Sequence, residues 1–243
     1  GEPGTRVTIT VETPGDKESR RTVELVRAKI SIEPVTTTLQ EVEGRRIVHA
    51  RLVTFQRNTA QKLIEGLKAH RPVHGVVLDV RDNPGGLLSA AVRISAAFLA
   101  RGPIVSTVGQ SGKTLMTFKA EDAHEGHEWL RNPSLPVVVL INKGSASASE
   151  IVAGVLQDRG RAVLIGGQSF GKGSVQSIVK LTEGRALKLT TARYRLPSGR
   201  LIDGIGLVPD LRAEQDGELP LALEVIRSWA RLRGVDPLEV PEG

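Results

Sequence analysis

The chain has 243 residues, with 33 lysine and arginine residues against 27 aspartate and glutamate residues, 40% hydrophobic residues and no cysteine. These proportions are typical of a folded globular protein, and they exclude disulfide scaffolds, thiolate metal sites and a thiol nucleophile. The net charge of +6 is spread along the chain in ones and twos, with only four Phe, two Trp and one Tyr beside it. We therefore predict no nucleic-acid binding. No apolar stretch reaches the roughly 18 residues of a membrane span, so no integral membrane segment is predicted.

The first third of the chain predicts strands and one helix. Residues 1–32 alternate polar and apolar side chains on both sides of a turn at 14–17, as a two-stranded unit does. Two strands alone do not make a stable domain, so this segment is predicted to be an appendage. Residues 35–54 predict a second strand pair, and apolar residues at helical spacing within 60–67 predict an amphipathic helix that ends near Pro72.

From residue 75 the pattern changes to an α/β core. An apolar run at 75–80 leads into a glycine turn and an apolar helix at 87–100, and the same order recurs with a run at 136–141 and a helix at 147–157. Repeated strand, turn and helix predict βαβ units with functional residues at the carboxyl ends of the strands. Further elements are predicted as strands at 162–165, 174–181 and 186–194 and a helix at 219–231.

The segment Gly144–Glu150 consists of small residues between the second buried strand and its helix. One interpretation is helix capping, because Ser147 with Glu150 three places later forms a capping box. The other is a nucleophilic Ser147 at a helix N-terminus, where the Ala148 amide could stabilise an oxyanion. A serine nucleophile needs a base, so the second interpretation depends on finding one.

Lysine is a better base than histidine in this sequence. His124 and His127 lie in an acidic loop without zinc-protease spacing, and we predict no metal site there. Lys172 stands between two glycines. A helix of about 11 residues advances roughly 16 Å, and a returning strand of about six residues covers a similar distance. The chain therefore returns to Ser147 near residue 170, and Gln176 would share a face with Lys172 if the segment were extended.

Two further glycine patterns have competing interpretations. Gly166 to Lys172 fits the spacing of a phosphate-binding loop, but Gly173 stands where Ser or Thr must hold magnesium, so no nucleotide or other cofactor is predicted. Gly85 and Gly86 suit a tight strand-to-helix turn. Because the two strand ends should lie side by side, one of these amides could also join the Ala148 amide as an oxyanion donor.

Five segments, in this order and spacing, resemble the carboxyl-terminal processing peptidases, also called tail-specific proteases. They are Asp79–Gly86, Gly144–Glu150, Phe170–Gln176, Tyr194–Arg200 and Gly204–Asp210. The resemblance extends along the whole chain. It implies an α/β core of the ClpP/crotonase-like type, built of repeated ββα and βαβ units.

The resemblance also implies roles for the site residues. Ser147 would be the nucleophile, Lys172 the general base and Gln176 the residue that positions it, with Ala148 and one of Gly85 or Gly86 as oxyanion donors. A lysine in water has a pKa of about 10.4, so such a base works at neutral pH only where burial lowers that value. The hypothesis therefore includes a desolvated lysine and a rate that rises with pH.

Members of the family usually carry a complete PDZ domain that captures substrate C-termini. Here residues 1–32 resemble only the last strands of that domain with its linker, so residues 33–243 are predicted to be the protease core. The resemblance implies cleavage in or near the C-terminal tails of protein substrates and an extracytoplasmic location. A homo-oligomer is also considered as the state of the protein.

Two other functions remain open at this point. A protein of the same fold could bind hydrophobic ligands without catalysis, although the presence of both Ser147 and Lys172 argues against it. An acyl-coenzyme A enzyme would share the oxyanion logic, but it would more often use paired carboxylates. Asp79 and Asp82, at a strand end, are poorly placed for that role.

Overall fold

The structure, a computed structural model, describes residues 1–30, 32–123, 127–182, 185–214 and 216–232. Two compact units make up the chain, Gly1–Glu33 and Pro34–Gly243. The first unit is a two-stranded antiparallel sheet in which Val7 pairs with Leu25, so the predicted strand pair is confirmed.

Twelve strands and five α-helices lie in the described residues. The strands are β1 Arg6–Thr13, β2 Asp16–Val26, β3 Val35–Val42, β4 Arg45–Leu52, β5 Gly75–Asp79, β6 Pro103–Val108, β7 Thr114–Lys119, β8 Val137–Ile141, β9 Val163–Gly166, β10 Ser174–Lys180, β11 Ala186–Arg195 and β12 Leu211–Arg212. The helices are α1 Thr59–Ala69, α2 Leu88–Phe98, α3 Glu128–Arg131, α4 Ala148–Asp158 and α5 Glu218–Leu232.

A six-stranded sheet forms the centre of the second unit, in the order β12-β9-β8-β5-β4-β3. Five of its strands are parallel neighbours, and β3 pairs antiparallel with β4 at the edge. β5 and β8 are buried along their whole length. The predicted βαβ arrangement, with two continuous apolar strands at its centre, is therefore confirmed.

The two faces of this sheet are covered by different helices. Alternate residues of β5, Val76 and Leu78, pack in the core that includes α1, α2 and α4. Val77, between them, packs on the other face with Ile226 of α5. The second unit thus has three layers, and the turns that follow β5 and β8 emerge at one edge of the middle layer.

A second sheet of four antiparallel strands has the order β10-β11-β6-β7. The sequence patterns predicted β10 and β11 but not β6, β7, the short β12 or the short helix α3. The burial pattern of β6 does not alternate, because Ile104 and Val105 are both buried, so its six residues carry only a weak strand signal. None of the helices in the described ranges is both long and apolar enough to cross a membrane.

Candidate active site

The turns that follow β5 and β8 are joined to each other by side-chain hydrogen bonds. The register places Asp79 opposite Leu140 at the ends of the two strands. The Asp82 amide donates to Oδ1 of Asn142, and Nδ2 of Asn142 donates to Oδ1 of Asp82, both at 2.9 Å. The prediction that the two strand ends meet is therefore confirmed, and the two glycine-containing turns are bonded to each other.

Ser147 stands on a sharp, strained turn between β8 and α4. Its φ of 58° and ψ of −113° lie in a region that residues with a side chain rarely occupy. Neighbouring hydrogen bonds hold the turn in place, because Ser145 Oγ donates to the Val80 carbonyl at 2.8 Å and the Ala146 amide donates to the Asn83 carbonyl at 3.0 Å. Strain of this kind at an accessible serine points to a functional position, as at nucleophile turns of hydrolases.

Gly85 packs directly against the Ser147 turn. A Cβ on this residue would lie only 2.9 Å from the Ala148 nitrogen, which is too close. The φ of Gly85 is +100°, a backbone conformation that residues with a side chain rarely adopt, so both the space and the backbone require glycine here. The Gly85 amide already donates to Oδ1 of Asn83 at 2.9 Å. Within the described ranges no acceptor binds the amides of Gly86 or Ala148. Within these ranges the amides of Gly86 and Ala148 thus have no hydrogen-bond acceptor, whereas the Gly85 amide has one.

Glu150 links the turn at Ser147 to residues 169–172, which we call the lysine loop. This fully buried carboxylate accepts the amide of Ser147 at 2.8 Å and the amide of Lys172 at 2.9 Å through Oε2. Its Oε1 accepts the Ser169 hydroxyl at 2.6 Å and the Gly171 amide at 2.7 Å. The sequence predicted the bond to Ser147 as part of a capping box but missed the other three. Only an acidic residue at the third helical position signalled it.

Lys172 and Gln176 are both exposed, and β10 begins after Lys172, at Ser174. The backbone of Lys172 is fixed near that of Ser147 through the shared carboxylate. Among the hydrogen bonds of the described residues, none joins the Ser147 hydroxyl to the Lys172 amine, and none joins Lys172 to Gln176. The structure thus brings the two loops together and leaves the roles of the three side chains as predictions.

The expected desolvation of Lys172 is absent from this structure. Its neighbours Gly171 and Gly173 have no side chains to cover it, and their backbones are held by other contacts. The Gly173 carbonyl, for example, accepts the Tyr194 amide at 2.7 Å. The loop backbone is therefore fixed while the amine stays in water, so any covering of the amine must come from a bound ligand or another part of the protein.

A buried ion network surrounds Asp79 at the end of β5. Arg81 binds both oxygens of this carboxylate at 2.9 and 2.6 Å, Arg51 binds it at 2.8 Å, and Nε2 of His49 lies 3.0 Å away. Arg81 also reaches Glu218 of α5 at 2.9 Å. Burial alone would raise the pKa of Asp79, but hydrogen bonds from Arg81 and His49 and the nearby arginine charges bring it well below its usual range. Asp79 is therefore an anion at neutral pH, and it holds the strand ends together.

We expect Asp79→Asn to lower the free energy of unfolding by about 3–5 kcal/mol, because it removes the buried anion that Arg51 and Arg81 share. The carboxylate stabilises the fold fully above its unfolded pKa of about 3.9 and loses that effect as the pH falls. The variant should therefore lose less stability than the parent on acidification. Urea denaturation at pH 7 and pH 3.5 measures both effects.

The exposed Asp216 provides the matched control, since Asp216→Asn makes the same chemical change without disturbing an ion pair. Its free energy of unfolding should stay within about 0.5 kcal/mol of the parent value. Equal stability of Asp79→Asn and the parent at pH 7 would contradict the structural role of the network.

In the part of the chain that the structure describes, no three His, Asp or Glu side chains group as metal ligands. Of the two loop histidines considered from the sequence, His124 lies outside the described residues and His127 precedes α3.

Comparison with known proteins gives the family. The profile of Peptidase family S41 matches residues 46–213. The carboxy-terminal-processing protease of Bartonella bacilliformis is 45% identical over 221 residues, covering 88% of this chain and 48% of that protein. The carboxyl-terminal-processing protease of Picosynechococcus is 37% identical over 214 residues, covering 86% of this chain and 49% of that protein. The chain thus spans about half the length of these curated relatives.

A solved structure supports the same assignment. The photosystem II D1 C-terminal processing protease superposes with a TM-score of 0.70 at 32% identity, covering 93% of this chain and 61% of that one. The family profile covers the turns that follow β5 and β8, including Ser147, and the lysine loop, so the site described above lies inside the matched region. From its sequence, its fold and the match to these relatives, the chain belongs to peptidase family S41.

Proposed function

We propose that the chain is a serine endopeptidase that cleaves peptide bonds in or near the C-terminal tails of proteins. The observation that carries the proposal is the Glu150 carboxylate, which fixes the backbones of Ser147 and Lys172 beside each other. The strained serine also supports it, as do the amides of Ala148 and Gly86, which have no acceptor within the described ranges and would serve as oxyanion donors. The names of the relatives, as carboxyl-terminal processing proteases, supply the substrate class.

In the proposed mechanism, the neutral amine of Lys172 accepts the hydroxyl proton as Ser147 Oγ attacks the carbonyl carbon of the substrate. The oxyanion of the tetrahedral intermediate accepts hydrogen bonds from the Ala148 and Gly86 amides. The Lys172 ammonium returns the proton to the leaving amine, and an acyl-enzyme remains on Ser147. A water molecule, deprotonated by Lys172, then hydrolyses the ester and restores the free serine.

Gly86 is preferred to Gly85 as the second oxyanion donor because of their backbone contacts. Gly86 forms a parallel bridge with Phe55, in which the flanking Gly85 carbonyl and Leu87 amide make the hydrogen bonds. The Gly86 amide faces away from that bridge, and Gly86 is exposed whereas Gly85 is buried. An oxyanion can therefore approach Gly86 without breaking an existing hydrogen bond.

The bound substrate would supply the desolvation that Lys172 lacks. A peptide across Ser147 excludes water from the neighbouring amine, which favours the neutral form that a base must have. Gln176, two residues into β10, would orient the amine once the peptide is in place. The exposed Phe170, on the same loop, offers an apolar surface for a substrate side chain.

The remaining assignments rest on the family resemblance. The second unit would be a ClpP/crotonase-like protease core, and the strand pair β1–β2 would be the end of a PDZ domain that captures substrate tails. The full protein would act outside the cytoplasm and would be able to form a homo-oligomer. The acyl-coenzyme A alternative loses ground because Asp79 is held as an anion by Arg51 and Arg81 and so cannot donate a proton.

A fluorophosphonate reagent tests the nucleophile without any assumption about substrate. We expect a single adduct, located by mass spectrometry on Ser147, in the folded chain and none in urea. Lys172→Ala should slow labelling at least about 100-fold, because a general base contributes roughly that much or more. The exposed Lys113→Ala is the matched control and should label at the parent rate. Labelling spread over other serines, or equal rates in the two lysine variants, would contradict the proposal.

A further inference from the structure

A cavity of about 270 Å³ lies at the opposite end of α4 from Ser147. Ser147 precedes the first turn of this helix, and Arg159 and Arg161, which line the cavity, follow its last turn. An 11-residue helix is about 16 Å long. The cavity is therefore separate from the candidate active site and plays no part in the chemistry proposed above.

Arginine dominates the polar lining of this cavity. Arg101, Arg131, Arg159 and Arg161 all contribute to it, and no acidic residue does so within the described ranges. The carboxylate of Glu121 lies nearby, where it accepts the Gly102 amide at 2.8 Å and interacts electrostatically with Arg159. Within the described ranges, the residues that line the cavity therefore carry positive charge only.

Arg161 is the most deeply placed of these cations, with 8% of its surface exposed. Its Nη1 donates to the Leu135 carbonyl at 3.0 Å and its Nη2 to the Leu130 carbonyl at 2.7 Å. Its Nε is buried without an acceptor in the part of the chain that the structure describes. Burial lowers the pKa of Arg161 to about 10. The protein thus holds a buried cation with carbonyl dipoles in place of a carboxylate.

Helix capping explains part of this arrangement but not all of it. Arg131 donates to the Ala96 carbonyl near the end of α2, as a basic residue at a helix C-terminus often does. Arg159 uses Nη2 on the Arg101 carbonyl at 3.0 Å. Neither Arg101 nor Arg159 forms a salt bridge within the described ranges, and both are exposed. Capping therefore does not account for the exposed guanidinium groups of Arg101 and Arg159, which line the cavity.

We propose that this cavity binds one phosphate group, either as the free ion or as the monoester of a small molecule. Guanidinium groups match the oxygens of phosphate in pairs, which makes arginine the preferred residue where phosphate is recognised. The volume lies just below the roughly 300–1,000 Å³ of pockets for drug-sized ligands, so the site suits a small anion. The bound anion would neutralise the positive charge of the arginine residues that line the cavity.

Isothermal titration calorimetry with inorganic phosphate tests the site without reference to peptidase activity. We expect saturable binding of one phosphate per chain. Parallel titrations use glycerol 3-phosphate and, at matched ionic strength, sodium chloride. Tighter binding of glycerol 3-phosphate would identify an ester as the ligand, and tighter binding of phosphate the free ion. No saturable response to either phosphate compound, or the same response to chloride, would overturn the proposal.

Paired charge variants show whether the binding belongs to this cavity. Arg101→Gln combined with Arg159→Gln removes two exposed guanidinium groups and should weaken phosphate binding at least tenfold, with the fold intact. Arg20→Gln combined with Arg21→Gln makes the same charge change on the exposed strand β2 and should leave the affinity within twofold of the parent. Equal weakening by both pairs would mean that net charge alone attracts phosphate, which would overturn the proposal.

Discussion

Ser147→Ala should abolish cleavage of an unfolded protein by this chain. Removing the nucleophile of a serine peptidase costs about 10⁶-fold in turnover, so no fragments should exceed background. The measurement incubates the parent and the variant with an unfolded protein between pH 6 and pH 10 and identifies products by mass spectrometry. The parent rate should rise with pH across this range, because the proposed base must lose a proton before it can act.

The exposed Ser198 gives a matched control, since Ser198→Ala also removes one hydroxyl and should cleave at the parent rate. The same fragments from Ser147→Ala as from the parent would exclude Ser147 as the nucleophile. A parent rate that stays flat from pH 6 to pH 10, with chemistry limiting, would argue against Lys172 as the base. If the parent labels with fluorophosphonate but cleaves nothing, the catalytic groups work and the chain lacks a means of substrate capture.

Glu150→Gln should impair the site almost as strongly as loss of a catalytic group. An amide nitrogen in place of one carboxylate oxygen would face N–H donors, because Oε2 accepts two amides and Oε1 accepts an amide and a hydroxyl. Each buried donor left without an acceptor costs about 1–3 kcal/mol of stability. A shift of about 1 Å between serine and base can cost about 100-fold in rate. We therefore expect fluorophosphonate labelling of Ser147 to slow at least about 100-fold.

A control variant and the choice of temperature show whether Glu150→Gln misplaces the reacting groups or simply unfolds the protein. Glu65→Gln changes an exposed glutamate on α1 in the same way and should leave labelling and stability unchanged. Labelling of Glu150→Gln is measured well below its unfolding midpoint, where circular dichroism shows native signal. Wild-type labelling rates under those conditions would show that Glu150 only stabilises the fold and does not position the reacting groups.

The central strands and helices were predictable because each carries a strong local pattern. β5 and β8 are continuous apolar runs, since they are covered on both faces, and α1 has apolar residues at helical spacing. The meeting of the two glycine turns followed from the parallel order of the strands. Such features depend on residues close together in the sequence, or on a rule of sheet topology that holds across folds.

Other features depend on contacts that the sequence does not reveal. β6 and β7 carry polar and exposed residues, so their periodicity is weak, and β12 has only two residues. The role of Glu150 arises because residues 169–172 return to it from a different loop. Whether Lys172 is exposed or buried depends on which other parts of the chain pack against its loop. The sequence around Lys172 does not indicate this.

The interlocked turns around Ser147 also determine when the chain could begin to act. The serine turn is held by carbonyls of Val80 and Asn83, more than 60 positions earlier, and by Glu150, which in turn binds the loop at 171–172. Except for the local bond between Ser147 and Glu150, none of these bonds can form until β5, β8 and β9 have paired, because the strands bring the turns together. A partly synthesised or partly folded copy therefore has a serine without its geometry. Under the proposed function, a newly made chain would be protected from cutting itself and its neighbours until its own sheet is complete.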